Sequence, residues 1–346
     1  MPGQVAAPAA PAASISCGML IGSEVPLRPP APSFGGQLSL AAADIKLAHS
    51  VFALPFAVLG ACMAWPSGES AGRFAGKLLL VVVCMVLART WAMLVNRIAD
   101  AGFDANNPRT ARRAVASGQL PKSTAIALAS TSAGLFVLVA GLFGLFYTNY
   151  WPLALSLPVL GWLALYSYAK RFTALCHVLL GSALAISPLA AAIAIGPAAV
   201  GLGTLGGGAG VGAVGTVVPA LFWLSGMVLL WVAGFDVLYA LQDEAFDRGL
   251  GLYSLPSRLG KHRAVWLSRA MHAGAAGCLI VAAVVDPRLH TVFPVAVAIA
   301  CVCLVAEHIV LIRRGLAGLP MAFFTLNGVI SCVVGAAGVL DVLVLK

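Results

Sequence analysis

Nine stretches of this chain are long enough, and free enough of charge, to cross a lipid bilayer as helices. A helical crossing takes about 20 mainly apolar residues. The stretches are roughly 47–65, 75–95, 123–146, 149–168, 173–196, 217–240, 264–285, 292–312 and 322–344. A membrane barrel would instead show alternating strands of about ten residues. The sequence therefore predicts an all-α, multi-pass membrane helical bundle of about nine transmembrane helices.

The composition supports this prediction. Of 346 residues, 61% are hydrophobic and 10% are charged, with a mean hydropathy of +0.98. Soluble globular domains are far more polar than this. Residues 1–40 differ, because Ala and Pro dominate them and no apolar period is visible. We expect a disordered tail over 1–40, without the features of a secretory signal, and one membrane domain over 41–346.

The basic residues predict the orientation of the bundle. With the N-terminus inside, fourteen Lys and Arg residues lie in inner loops, against Arg73, Lys77, Arg288 and Lys346 outside. The positive-inside rule therefore places the N-terminus and the charged loops in the cytoplasm, with the bundle in the cell (inner) membrane. Anionic lipid headgroups account for the net charge of +9, so membrane lipid is expected as a partner and nucleic acid is not. The sequence predicts no oligomeric state.

Two further patterns predict no chemistry. The eight cysteines lie almost entirely in apolar stretches and lack the spacing of a metal site, which is typical of buried thiols. The glycine-rich segment 201–215 contains G-x-G-x-x-G, but a dinucleotide site needs a preceding strand and a βαβ unit. We interpret that segment as a loop on the outer side.

Half of the twelve acidic residues lie in two short segments, 100–104 and 236–247, at the inner ends of two predicted helices. The polar side chains repeated along these two helix ends are Asn96, Asp100 and Asp104 on the first helix and Asp236, Asp243 and Asp247 on the second. At about 100° per residue, Arg89, Asn96 and Asp100 fall within about 40° of one another. Ionisable residues at membrane depth face a bundle interior. We therefore predict two facing polar stripes, a pattern that ordinary solvated helix ends do not explain.

The two acidic segments are surrounded by Arg and Lys, and this combination suggests a metal and an anion. Carboxylates alone would repel an anionic substrate, whereas Mg²⁺ binds carboxylates and phosphate oxygens together. Basic side chains would take the remaining oxygens. Such a site would hold a diphosphate at the membrane surface, next to a long apolar cavity within the bundle. We therefore predict polyprenyl diphosphate as substrate and Mg²⁺ as cofactor.

Two other classes of protein fit parts of the pattern. A secondary transporter with an inward-facing charged site would also place paired charges within a bundle, but at the membrane midplane and not at one face. A structural or lipid-binding membrane protein would not need so many carboxylates able to bind a metal. Both remain alternatives to an enzyme at this point.

Several sequence blocks resemble one known family. "NRIADAGFD" and "DVLYALQDEAFD" look like the two aspartate motifs of the UbiA superfamily of intramembrane aromatic prenyltransferases. The blocks "IKLAHSVFALPFA", "NPRTARRAVASG", "YSYAKRFTALCH" and "GLYSLPSRLG" are also similar to family blocks and follow the family order. The resemblance covers roughly residues 44–344. It is closest to the 4-hydroxybenzoate polyprenyltransferase-like branch, which serves ubiquinone and menaquinone biosynthesis and includes the futalosine-route enzymes.

The resemblance implies prenyl transfer from a polyprenyl diphosphate to a small hydroxylated aromatic acid, either 4-hydroxybenzoate or 1,4-dihydroxy-6-naphthoate. The implied Mg²⁺ ligands are Asn96, Asp100, Asp104, Asp243 and Asp247. Tyr166 and Lys170 match the family's Y-x-x-x-K and are expected to bind diphosphate. Weaker candidates for that role, for which lipid contact is an equal alternative, are Arg171, Arg109, Lys46 and Arg258.

Arg89 and Asp236 are the predicted catalytic residues. Each precedes its motif by seven residues and so lies about 10 Å deeper along its helix. Their matched depth and opposite charge suggest that they meet, directly or across the aromatic acceptor. Asp236 is expected to accept a hydrogen bond from the acceptor's phenol, while Arg89 holds Asp236 ionised or binds the acceptor's carboxylate.

Overall fold

The computed structural model describes residues 34–45, 52–203, 205 and 217–345. In this part of the chain eleven α-helices follow one another, and no β-strand occurs. They are α1 (Phe34–Ile45), α2 (Leu54–Met63), α3 (Ala71–Asn106), α4 (Lys122–Tyr147), α5 (Trp151–Ala169), α6 (Cys176–Ile195), α7 (Pro219–Ala240), α8 (Glu244–Gly249), α9 (Leu255–Val285), α10 (Phe293–Arg314) and α11 (Asn327–Leu343). The predicted all-α class is confirmed.

Eight helical segments of the described chain have the length and apolar composition to cross a bilayer. They correspond to eight of the nine predicted stretches. The first predicted stretch, 47–65, contains the ten-residue helix α2, and residues 46–51 lie outside the described residues. The chain is thus an integral membrane protein, and the prediction of a bundle of about nine helices is confirmed.

Two helices extend well past their predicted apolar stretches. Helix α3 continues to Asn106 and α9 begins at Leu255, because backbone hydrogen bonding does not stop where charged side chains begin. Within α9, Gly260 has a φ of 77° and separates the first turns from the rest of the helix. Both extensions carry residues of the candidate site.

Helix α1 begins inside the segment predicted to be a disordered tail. It starts at Phe34, after the last proline of that segment, and its Ala41 is buried against Ala114 and Leu120 of the α3–α4 connection. The tail prediction is therefore wrong for residues 34–40. Residues 1–33 lie outside the described residues, and the domain boundary stays a prediction.

Helix α7 is at the centre of the bundle. In the most apolar stretch of this spanning segment 67% of the residues are buried, against 22–44% in the corresponding stretches of the other spanning segments of the described chain. Gly181 of α6 lies directly against the carbonyl oxygen of Leu229 in α7, and Gly60 of α2 lies against the backbone of Pro188 in α6. Residues without a side chain allow helices this close an approach in membranes. Helices α2, α6 and α7 thus form a tightly packed unit.

The connections that carry the polar motifs meet at one end of the bundle. Arg171, just after α5, donates to the carbonyl of Ala99 in α3 at 2.6 Å. The carbonyl of Lys170 accepts from the backbone N–H of Tyr253, before α9, at 2.7 Å. The α5–α6 connection is therefore hydrogen-bonded to the end of α3 and to the segment that precedes α9.

Candidate active site

The first acidic motif lies on the extended end of α3. Asp100 and Asp104 are 3% and 5% exposed, and Asn96 donates from Nδ2 to Asp100 Oδ2 at 3.2 Å. Arg113 donates from Nη1 to both carboxylate oxygens of Asp104 at 2.8 Å. The two carboxylates thus point into the interior of the protein, as predicted for this stripe.

The second acidic motif does not lie on one continuous α-helix, as its predicted stripe required. Helix α7 ends at Ala240, a 3₁₀ turn covers Leu241–Asp243, and the short helix α8 follows. The tighter turn changes the angle between successive side chains, so projection at a constant 100° fails beyond Ala240. Asp247 is nevertheless buried at 8% exposure, within electrostatic range of Asp243 and Lys170.

The connection after α3 joins the two motifs. Arg109 donates to both oxygens of the Asp243 carboxylate, from Nε at 2.9 Å and from Nη2, and Asn107 donates to Asp243 Oδ1 at 3.0 Å. Burial alone would lower the pKa of the Arg109 guanidinium, but the hydrogen bond and charge of Asp243 raise it, so Arg109 stays charged. The sequence suggested no role for Asn107, although it begins the family block "NPRTARRAVASG".

The end of α5 supplies the basic partners of the first motif. Lys170 Nζ lies 2.9 Å from Asp100 Oδ2, and Arg171 Nη2 lies 3.7 Å from Asp100 Oδ1. One turn earlier, the Tyr166 hydroxyl faces the carbonyl of Ala92 in α3 at 3.5 Å. The structure therefore brings together Tyr166, Lys170 and the first motif, as the sequence predicted.

The acidic side chains have the right chemistry for Mg²⁺, which prefers carboxylate and amide oxygens. In the described part of the chain no three His, Cys, Asp or Glu side chains are already arranged around one metal position. Instead the Asp100, Asp104 and Asp243 carboxylates are each held by a basic side chain. Basic groups thus occupy the positions next to these oxygens that a cation would take.

An apolar cavity of about 480 Å³ opens beside the first motif, enclosed mainly by α3, α4, α5 and α6. Arg89 and Tyr166 are polar residues on its wall, and Leu163, Phe136 and Phe143 line it among many other apolar side chains. Arg89 lies two turns of α3 before Asn96. The structure therefore contains an apolar cavity beside Tyr166, one of the residues predicted to bind diphosphate.

Asp236 contacts His177 and not Arg89. Its Oδ2 lies 2.6 Å from His177 Nδ1, whereas Arg89 is on the wall of the apolar cavity. The expectation of a direct Asp236–Arg89 contact is therefore wrong, since α6 supplies the nearer partner. A meeting across a bound acceptor stays a prediction. Sequence reasoning missed His177, although it ends the family block "YSYAKRFTALCH".

The contacts of Arg258, one of the two remaining predicted residues, lie outside the two motifs. Arg258 is exposed, stacks on the Tyr253 ring at 3.7 Å and donates to the carbonyl of Gly251 at 3.3 Å. Lys46 lies outside the described residues. Diphosphate binding by either residue stays a prediction.

Comparison with known proteins identifies the class. The model of the UbiA prenyltransferase family matches residues 53–329, and the chain belongs to this family. It is 31% identical over 249 residues to the 4-hydroxybenzoate octaprenyltransferase of Paracidovorax citrulli (strain AAC00-1), covering 69% of this chain and 72% of that protein. The 4-hydroxybenzoate octaprenyltransferase of Edwardsiella ictaluri (strain 93-146) is 32% identical over 203 residues, which cover 57% of this chain and 61% of that protein. The chain is thus an aromatic prenyltransferase, and not a transporter or a structural protein.

Solved structures of the family share the fold. The apo structure of a UbiA homolog from Aeropyrum pernix K1 is 29% identical, with a TM-score of 0.70 over 86% of this chain and 99% of that one. A UbiA homolog from Archaeoglobus fulgidus, bound to GPP and Mg²⁺, is 16% identical, with a TM-score of 0.61 over 88% of this chain and 99% of that one.

Proposed function

We propose that this enzyme transfers a polyprenyl chain from its diphosphate to a ring carbon of a hydroxylated aromatic acid, in ubiquinone or menaquinone biosynthesis. The observation that carries the proposal is the pairing of Asp100 with Lys170 and of Asp243 with Arg109, beside an apolar cavity. The names of the relatives favour 4-hydroxybenzoate as acceptor. The sequence resemblance makes 1,4-dihydroxy-6-naphthoate the second acceptor to test.

The basic residues of the site would exchange carboxylates for diphosphate oxygens. Mg²⁺, which a structural relative binds together with GPP, would supply positive charge against the leaving diphosphate. The residues that would hold it are Asn96, Asp100, Asp104, Asp243 and Asp247. Lys170, Arg171 and Arg109 would then be released from Asp100 and Asp243 to bind the diphosphate, with Tyr166 beside them. The apolar cavity would take the prenyl chain and keep water from the allylic cation.

Asp236 and Arg89 would handle the acceptor. Asp236 would accept the phenol's hydrogen bond, which raises electron density on the ortho carbon. A C–C bond forms there as the allylic C–O bond breaks, and the displaced ring proton leaves with the diphosphate. The phenolic proton drawn to Asp236 then returns to the phenol oxygen. Arg89, on the cavity wall, would bind the acceptor's carboxylate.

The test is a transfer assay. Membranes containing the protein, with Mg²⁺ and a polyprenyl diphosphate, receive labelled 4-hydroxybenzoate or labelled 1,4-dihydroxy-6-naphthoate. We expect a prenylated product from one acceptor at least, and none from membranes without the protein. Absence of product from both acceptors, with diphosphates of several chain lengths, would contradict the proposal.

We also propose that the motif-bearing end of the bundle faces the cytoplasm, because the Lys- and Arg-rich connections lie there. Exposed Gln119, between α3 and α4, and exposed Gly203, between α6 and α7, mark the two ends. In a background without reactive native cysteines, Gln119→Cys should react with an impermeant thiol reagent only in inside-out vesicles. Gly203→Cys should react only in right-side-out vesicles. The reverse labelling would refute this orientation.

A further inference from the structure

His177 lies where α6, α7 and the first turn of α9 meet. It is 3% exposed. Its Nδ1 lies 2.6 Å from Asp236 Oδ2 in α7, and its Nε2 accepts the backbone N–H of Leu255 at 3.2 Å. Leu255 is the first residue of α9, where a helix leaves its N–H groups without intrahelical partners. Both ring nitrogens therefore have a partner on a different helix.

These two contacts determine which nitrogen carries the proton. A backbone N–H can only donate, so Nε2 must present its lone pair to Leu255. A neutral imidazole carries one proton, which is then on Nδ1. The short contact to Asp236 is therefore an N–H donated by His177 to a carboxylate oxygen.

This arrangement leaves part of the Asp236 side chain accessible to a substrate. The Asp236 side chain keeps 23% of its surface exposed, whereas that of His177 keeps 4%. One carboxylate oxygen is held by the imidazole, so the carboxylate cannot rotate freely. We propose that His177 is a positioning residue, which fixes Asp236 as an oriented acceptor for the phenolic proton of the aromatic substrate. This inference rests on the proposed function of Asp236.

A purely structural role for His177 would act through Leu255 alone. In that case loss of the His177 side chain would disturb α9 and the α5–α6 connection, whatever residue occupied position 236. A positioning role acts through Asp236. Loss of the His177 side chain should therefore lower kcat little further once Asp236 cannot act as a base. A double-mutant cycle separates the two roles.

The experiment measures kcat, and KM for the prenyl diphosphate, in purified full-length protein. His177→Leu should lower kcat roughly 10- to 100-fold, since a misplacement of about 1 Å can cost about 100-fold. KM for the diphosphate should not change, because Lys170 and Arg109 are untouched. His177→Asn, whose amide nitrogen replaces Nδ1, should recover most of the kcat. In an Asp236→Asn background, His177→Leu should cost less than twofold more.

Three results would overturn the proposal: a wild-type kcat for His177→Leu, an equal loss in the Leu and Asn variants, or additive losses in the cycle. Exposed His262 on α9 provides the control, and His262→Leu should leave kcat unchanged.

A second measurement needs neither a variant nor turnover. In ¹⁵N-histidine spectra of the wild type, His177 should be protonated at Nδ1 and unprotonated at Nε2, and the opposite tautomer would refute the proposal. A wild type that transfers no prenyl chain would refute the proposed function, while the tautomer would still test the His177–Asp236 contact.

Discussion

Asp100→Ala and Asp243→Ala should each lower prenyl transfer by at least about 1000-fold, the upper end of what loss of one electrostatic stabiliser costs. Each change removes a proposed Mg²⁺ ligand. It also leaves Lys170 or Arg109 without the carboxylate that now neutralises it. The measurement is product formation in membranes at saturating Mg²⁺, with membrane insertion checked separately. Chelation with EDTA should have the same effect on the wild type, and added Mg²⁺ should reverse it.

Glu244 provides a matched control for these two changes. It follows Asp243 directly and is buried, but its carboxylate pairs with Arg248 at 2.6 Å and with Lys261 at 3.6 Å. Because it is not a proposed ligand, Glu244→Gln should keep most of the activity. Full activity of the wild type in EDTA, or wild-type rates from Asp100→Ala or Asp243→Ala, would contradict the two-motif metal site.

Asp236→Asn should have the next largest effect, a loss of about 100- to 10,000-fold in kcat, which is the range for a general acid–base group. The amide keeps the size of the side chain but cannot take a proton. KM for the prenyl diphosphate should stay the same, since Asp236 lies seven residues before Asp243, the first proposed Mg²⁺ ligand of the second motif. Both quantities come from steady-state kinetics with each acceptor.

Asp286 provides the comparison for this second change. It caps the far end of α9, where its carboxylate accepts from Arg288 Nη2 at 2.8 Å. Asp286→Asn should therefore keep kcat near the wild-type value. If Asp236→Asn prenylates 4-hydroxybenzoate and the naphthoate at wild-type rates, Asp236 has no part in activating the acceptor.

Residues repeated along one helix were the most predictable part of the site. Asn96, Asp100 and Asp104 follow from the geometry of a regular helix, and α3 is one. The same reasoning failed after Ala240, because the 3₁₀ turn at Leu241–Asp243 leaves no clear sign in the residues that form it. Local periodicity therefore predicts a stripe only as far as the helix stays regular.

Contacts between distant segments were predictable only where opposite charges and a family motif pointed to them. Lys170 was expected at the site, and it does reach Asp100. His177 was not expected, because its partners Asp236 and Leu255 are 59 and 78 residues away along the chain. Packing at Gly181, one turn of α6 after His177, helps to decide which helix lies beside α7, and this contact leaves no pattern in the polar residues.

The glycine contacts among α2, α6 and α7 also have an evolutionary consequence. A methyl group at Gly60 or Gly181 would collide with the backbone of a neighbouring helix, so mutation there must move a whole helix. The cavity walls on α3, α4 and α5 are made of side chains such as Phe136 and Leu163, which can be exchanged one at a time. Descendants of this protein that come to accept longer or shorter substrates should therefore differ first in the side chains that line the cavity, and keep glycine at the contacts among α2, α6 and α7.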